Sequence, residues 1–140
     1  MIEKLKQMLI RDEAEVNHAY QDSEGYWTIG VGRLIDNRKG GSITHEESMY
    51  LLSNDIKTVL GECDRNFDWF DDLNEARKIV ILNMVFNMGL GNFKEFKKTI
   101  AFISEGNYSE ASIEMLDSKW SRQVGNRAAR LSTIMKTGIV

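Results

Sequence analysis

Proline is absent from the 140 residues, and cysteine occurs once, at Cys63. The lack of proline removes the strongest helix breaker, so helices can run without interruption. A single cysteine excludes an internal disulfide and permits folding in a reducing compartment. No stretch approaches the ~20 apolar residues that a membrane-spanning helix needs, so we expect no membrane insertion. The N-terminus, residues 1–6, is amphipathic and lacks the apolar core of a signal peptide.

Histidine is also scarce, since only His18 and His45 are present. The two are isolated from each other and from Cys63, so no zinc-ligand spacing exists. The run Gly30-Val31-Gly32 lacks the third glycine and the strand–helix setting of a nucleotide-binding fingerprint. We therefore expect no metal and no organic cofactor.

The balance of charge is slightly acidic, with a formal net charge of −3. This value argues against a general nucleic-acid binder. The last 22 residues nevertheless carry a local charge of +5 and no acidic side chain: Lys119, Arg122, Arg127, Arg130 and Lys136. A basic end can attract an anionic polymer, but a solvated helical face explains the same pattern equally well.

The order of predicted elements changes from a small β region to helices. Apolar residues at positions 2, 5, 8 and 9 predict an amphipathic helix over residues 2–12. Aromatic-rich runs at 18–21 and 26–29 flank a turn with a glycine, which predicts a β-hairpin. A third strand is expected near residues 33–35, because glycine-rich turns lie on both sides of it.

The rest of the chain is predicted to be helical. Thr44 followed by Glu47 is a capping-box signature, and it predicts a helix over residues 44–61 that ends near Gly61. The run 79–86 is apolar almost all round, which predicts a buried central helix. Helical spacing then continues from position 93 to position 106. Asparagines are expected to cap three helices: Asn74, Asn107 and Asn126.

Three residues near the N-terminus suggest a catalytic site. Glu13 ends the first predicted helix, Asp22 opens the hairpin turn, and Thr28 follows on the returning strand. Cleavage of a glycosidic bond needs one group to protonate the leaving oxygen and another to steer water to the sugar carbon. The alternative is structural, since carboxylates are mostly solvated, Asp commonly opens turns, and Thr is common in strands.

Three blocks of sequence resemble one known family. The first combines Asp12-Glu13 with residues 20–32, the second is residues 83–89, and the third is residues 118–120 followed by 126–130. The blocks closely resemble the phage lysozymes of the endolysin type, glycoside hydrolase family 24, and are similar to the T-even phage lysozymes. They occur in the family's order and nearly its spacing, so the resemblance covers essentially the whole chain.

The resemblance implies a role for each of the three residues. Glu13 matches the general acid of the family. Asp22 matches the carboxylate that orients or deprotonates the attacking water, and Thr28 matches the hydroxyl that helps to hold this water. Because the family is similar to an inverting hydrolase, the resemblance implies carboxyl groups roughly 6.5–9.5 Å apart, with room for the water.

Further residues match family positions that touch the substrate or the acid. Leu34 and Phe86 match sugar-contacting positions, although core packing is the alternative for both. Thr99 and Glu114 stand where some members have a serine and an asparagine, which alters contacts to the substrate. Arg127 matches an arginine that pairs with the catalytic glutamate across the lobe interface, where its charge would stabilise the anionic form of the acid.

Two other basic residues carry expectations of their own. Arg130 is expected to pair with Asp12. Arg33 stands where the best-known members have a histidine, and we expect this change to affect stability or pH response more than chemistry.

The resemblance also implies an architecture for the whole chain. We expect a mostly helical α+β fold in a single lysozyme-like domain, residues 1–140, with a cleft between two lobes. The expected parts are a β region (13–43), a connecting helix (44–61) and a helical lobe (1–12 with 62–140).

The implied function is that of a lysozyme or muramidase (EC 3.2.1.17). Such an enzyme hydrolyses the β-1,4 bond between N-acetylmuramic acid and N-acetylglucosamine in bacterial peptidoglycan. The implied protein is a monomer that serves host lysis by a phage, needs no cofactor, and has no nucleic-acid partner. Without a signal peptide, it would stay in the host cytoplasm until a separate membrane-perforating protein, a holin, gave access to the wall.

Two alternatives remain open. A lytic transglycosylase cuts the same bond without water and needs one acid, so Asp22 and Thr28 argue against it. A non-catalytic wall-binding or virion structural module is less consistent with the complete set of Glu13, Asp22 and Thr28.

Overall fold

The computed structural model describes residues 1–140 and divides into two compact units, Met1–Leu51 and Leu52–Val140. The predicted class, mostly helical α+β with a small N-terminal sheet, is confirmed. The boundary between the units falls inside a long helix, and the lobe limits expected from the sequence stay a prediction. The elements are α1 (Ile2–Glu13), β1 (Glu15–Gln21), β2 (Trp27–Val31), β3 (Arg33–Leu34), α2 (His45–Asn66), a 3₁₀ helix (Phe70–Asp72), α3 (Glu75–Met88), α4 (Leu90–Phe93), α5 (Lys97–Ser104), α6 (Tyr108–Leu116), α7 (Lys119–Val124) and α8 (Asn126–Thr137).

The sheet has three antiparallel strands in the order β1-β2-β3. β1 and β2 form the predicted hairpin, and an irregularity in their register lies between Val16 and Tyr20. Thr28 on β2 pairs with Tyr20 on one side and with Leu34 on the other. Since paired residues on neighbouring strands point to the same face, these three side chains form one row across the sheet.

The helix α2 begins as predicted and ends later than predicted. The backbone N–H of Glu47 donates to the Thr44 hydroxyl (3.1 Å), and the Glu47 carboxylate accepts from the Thr44 N–H (3.0 Å), which confirms the capping box. The prediction that the helix ends near Gly61 is wrong, because α2 runs on to Asn66. Glycine inside a helix costs only about 1 kcal/mol, which does not by itself end a helix whose next turn carries the buried residue Cys63.

All buried hydrophobic residues belong to Leu52–Val140, and all of them except Ala76 form one core cluster. Five of them lie on α3: Ala76, Val80, Ile81, Met84 and Val85. The predicted central helix is not buried all round, however, because Ile79 and Phe86 are 41% and 45% exposed. In Met1–Leu51, Thr28 is the one buried residue, and the apolar side chains of α1 are exposed.

Three further differences concern the helices that follow α3. The helical spacing from position 93 to position 106 belongs to two helices, α4 and α5, because residues 94–96 turn between them. Asn74 and Asn107 cap their helices as expected, but Asn126 does not: it is the first residue of α8, and Gly125 occupies the N-cap position. The short helix α7, capped by the Ser118 side chain, was not predicted.

Candidate active site

Asp22 is held at the hairpin turn by backbone groups. Its Oδ1 atom accepts hydrogen bonds from the N–H groups of Glu24 (2.9 Å) and Tyr26 (2.8 Å). Its own N–H donates to the Tyr26 carbonyl at 2.8 Å, and its carbonyl accepts from Gly25 at 3.0 Å. Gly25 has a positive φ of 87°, so the turn favours glycine there. One carboxylate oxygen is thus fixed, while Oδ2 receives no hydrogen bond from the protein.

Thr28 is tied to the same backbone residue as Asp22. Its hydroxyl donates to the Tyr26 carbonyl at 3.1 Å, and the residue is 3% exposed. Tyr26 therefore binds the Asp22 carboxylate through its N–H and the Thr28 hydroxyl through its C=O. Because the hydroxyl proton is used in this bond, the oxygen of Thr28 retains lone pairs that can accept a hydrogen bond.

Glu13 is the last residue of α1, where the chain turns sharply into β1. The turn occurs at Ala14, which has φ 62° and ψ 153° and is the one residue other than glycine with a positive φ. The Glu13 side chain reaches the turn between β2 and β3. There, a Cβ atom placed on Gly32 would lie 2.7 Å from Glu13 Oε2 and 2.9 Å from its Cδ.

Leu34 and Arg33 form the short strand β3 beside this group. Leu34 lies in the same sheet row as Thr28 and is 46% exposed, so it is not a core residue. Arg33 forms an ion pair with Glu47, the capping residue of α2. The hydrogen bond from the Thr44 backbone, helped by Arg33, holds the pKa of the Glu47 carboxyl below its usual value. Arg33 thus binds a residue in the first turn of α2.

Phe86 and Arg127 lie together in the unit Leu52–Val140. Both line a mostly apolar recess of about 400 Å³ between α2, α3 and α8. Arg127 is half-buried, and its Nε donates to Asn83 Oδ1 at 2.9 Å. The pairs of Arg127 with Glu13 and of Arg130 with Asp12 stay predictions. In the structure, Asp12 Oδ1 lies 3.4 Å from Nε of its neighbour Arg11.

Two asparagines on α3 join the second and third sequence blocks. Asn83 accepts from Arg127, and Asn87 Oδ1 accepts from the indole Nε1 of Trp120 at 2.8 Å. Because the two amides are four residues apart, they lie on one face of α3. Sequence reasoning missed both roles, although an amide inside an otherwise apolar helical run was the available signal.

Thr99 and Glu114 also lie together, in a second recess of about 390 Å³. Thr99 is 2% exposed, and its hydroxyl makes no hydrogen bond to the protein. Every side-chain polar atom that is fully buried has a hydrogen-bond partner. The Thr99 hydroxyl has none, so it belongs to the small part of this residue that is exposed. Charged side chains of both signs surround it, and none of them forms an ion pair: Glu95, Lys97, Lys98, Glu114, Asp117 and Lys119.

Neither a metal-binding group of side chains nor a membrane-spanning helix is found. No group of three or more His, Cys, Asp or Glu side chains is arranged to hold an ion. None of the helices is both long enough and apolar enough to cross a bilayer.

Comparison with known proteins identifies the family. The family model described as Phage lysozyme matches residues 11–135. Probable T4-type lysozyme 1 of Dictyostelium discoideum is 32% identical, over 99% of this chain and 96% of that protein. The pre-baseplate central spike protein Gp5 of Enterobacteria phage T4 is 29% identical over 96% of this chain but 28% of its own length. An endolysin of Acyrthosiphon pisum secondary endosymbiont phage 1 is 29% identical, over 84% of this chain and 78% of that protein. The chain therefore belongs to the phage lysozyme family of peptidoglycan hydrolases.

Proposed function

We propose that this lysozyme hydrolyses the β-1,4 bond between N-acetylmuramic acid and N-acetylglucosamine with inversion of configuration. One observation carries the proposal: the backbone of Tyr26 holds both the Asp22 carboxylate and the Thr28 hydroxyl. Each of these groups keeps a free acceptor, Oδ2 on Asp22 and a lone pair on Thr28. Two acceptors held by the same residue suit a nucleophilic water, because they can bind its hydrogens and leave its own lone pair free.

The proposed reaction balances its protons between two carboxyl groups. The water oxygen attacks the anomeric carbon of the muramic acid unit, and its proton passes to Asp22. The bond from this carbon to the glycosidic oxygen breaks, and Glu13 gives its proton to that leaving oxygen. General acid–base steps of this kind each contribute about 10²–10⁴-fold to the rate. Glu13 ends the cycle ionised and Asp22 protonated, and exchange with solvent restores both.

The remaining predicted residues are proposed to bind the substrate. Leu34 and Phe86 are both nearly half exposed, so each can offer an apolar surface to a sugar ring. Thr99 and Glu114 supply a hydroxyl and a carboxylate in the second recess. For Arg127 we propose a supporting role towards Glu13, and its bond to Asn83 orients the guanidinium.

The first test removes the proton that the general acid would donate. Glu13→Gln keeps the size of the acid but has no proton to give, so we expect release of reducing sugars from peptidoglycan to fall at least about 100-fold. The matched control is Glu15→Gln, two residues along the chain and exposed, which should keep wild-type activity. Circular dichroism verifies the fold of both variants. Wild-type activity in Glu13→Gln would refute the mechanism.

The second test identifies the bond and the stereochemistry. Mass spectrometry of the products should show a reducing muramic acid end, and proton NMR of the fresh product should show the α-anomer first. An anhydro sugar would identify a lytic transglycosylase, and a β-anomer would identify retention. Binding to peptidoglycan without sugar release would indicate a non-catalytic wall-binding or virion module.

For the biological role, we propose lysis of a bacterial host by a monomeric enzyme. The likeness to an endolysin supports this role. Expression in bacterial cytoplasm should leave cells intact until a holin is co-expressed, and lysis should then follow. Rapid lysis without a holin would refute the proposed dependence.

A further inference from the structure

Gly32 is the residue against which the Glu13 carboxyl group lies. Within Met1–Leu51 this carboxyl group has no ion pair, so no charged partner there sets its position. We propose that Gly32 is a positioning residue for the general acid. Its missing side chain leaves the notch that the carboxyl group of Glu13 fills. The inference rests on the acid role proposed for Glu13 above.

The distances make the notch specific for glycine. A methyl group on Gly32 would lie 2.7 Å from Oε2, 2.9 Å from Cδ and 3.1 Å from Cγ of Glu13. Carbon atoms pack at about 3.5–4.0 Å, so one of the two side chains would have to move. The flexible end of Glu13 can move at little cost in stability. This end carries the reacting proton, however, and a displacement of about 1 Å can lower a catalytic rate about 100-fold.

The backbone conformation at position 32 also favours glycine. The experiment must separate this effect from the contact with Glu13. Gly32 has a φ of 62°, a conformation that strains any other residue. Gly30 provides the matched control, because its φ is 69° and a Cβ there would meet nothing within 4 Å. Alanine at either position introduces similar strain, but only alanine at position 32 meets the acid.

The test compares Gly32→Ala with Gly30→Ala in kinetics on soluble glycan strands. We expect both variants to melt at similarly lowered temperatures. Gly32→Ala should lose at least about tenfold in kcat with KM unchanged, while Gly30→Ala should stay within about twofold of wild type. Equal kcat values in the two variants would overturn the proposal. An inactive wild type, or an active Glu13→Gln, would instead refute the proposed function itself.

A double variant tests the contact directly. Glu13→Asp withdraws the carboxyl group by one methylene, so it should be less harmful when alanine occupies position 32 than when glycine does. Equal losses of kcat in both backgrounds would contradict the proposed contact. A Gly32→Ala variant that fails to fold while Gly30→Ala folds would also contradict the proposal, because the flexible end of Glu13 should yield at little cost in stability.

Discussion

Replacing Ala14 by glycine should make the protein more stable. With φ 62° and ψ 153°, Ala14 occupies a backbone region that is almost restricted to glycine and that costs other residues about 1–3 kcal/mol. Glycine removes this strain. Its greater conformational freedom, however, stabilises the unfolded chain by about 0.4–1 kcal/mol. The balance is a gain of about 1 kcal/mol in the free energy of unfolding, or roughly 3 °C in Tm for a chain of this size.

The measurement is urea denaturation of Ala14→Gly beside Ala101→Gly. Ala101 is exposed and lies inside α5, where glycine should cost about 1 kcal/mol. The same chemical change therefore has opposite signs at the two positions, and the dependence on urea should be the same in both variants. A loss of stability in Ala14→Gly equal to that in Ala101→Gly would refute the assignment of strain to this turn.

Two further predictions concern the helical unit. Burial, with two neighbouring carboxylates, raises the pKa of the Cys63 thiol from 9.0 to about 11. Its contribution to stability is therefore present below pH 9 and is lost as the pH rises towards 11, so Cys63→Ala should show a weaker alkaline decline in stability than wild type. Asn87→Ala leaves the indole N–H of Trp120 without its partner and should lower the free energy of unfolding by about 1–3 kcal/mol, measured by urea denaturation against Asn92→Ala on the exposed surface.

Features that depend on a few neighbouring residues were predictable from the sequence. The Thr44–Glu47 capping box and the Asn74 cap each use side chains three residues from the amide that they bind. The grouping of Asp22 with Thr28 is equally local, because one hairpin turn brings both to Tyr26. Local signals of this kind survive folding when no tertiary contact opposes them.

Features that depend on distant parts of the chain were not predictable. The helix α2 passes through Gly61, and the turn beyond it places Cys63 in a core built by distant segments. The roles of Asn83 and Asn87 require partners 44 and 33 residues away. The contact of Glu13 with Gly32 joins the end of a helix to a turn between strands, and no periodic pattern reports such a contact.

The distribution of the core has a consequence for how this enzyme fails on heating. Every buried hydrophobic residue lies in Leu52–Val140, while Glu13 and Asp22 belong to Met1–Leu51. Segments with few buried apolar contacts open at lower free energy than the global unfolding transition. Amides of β1 and β2 should thus exchange with deuterium before those of α3. If Glu13 and Asp22 act as proposed, catalysis should decline while the helical signal is intact. A melting temperature taken from that signal should then overstate the working range of the enzyme.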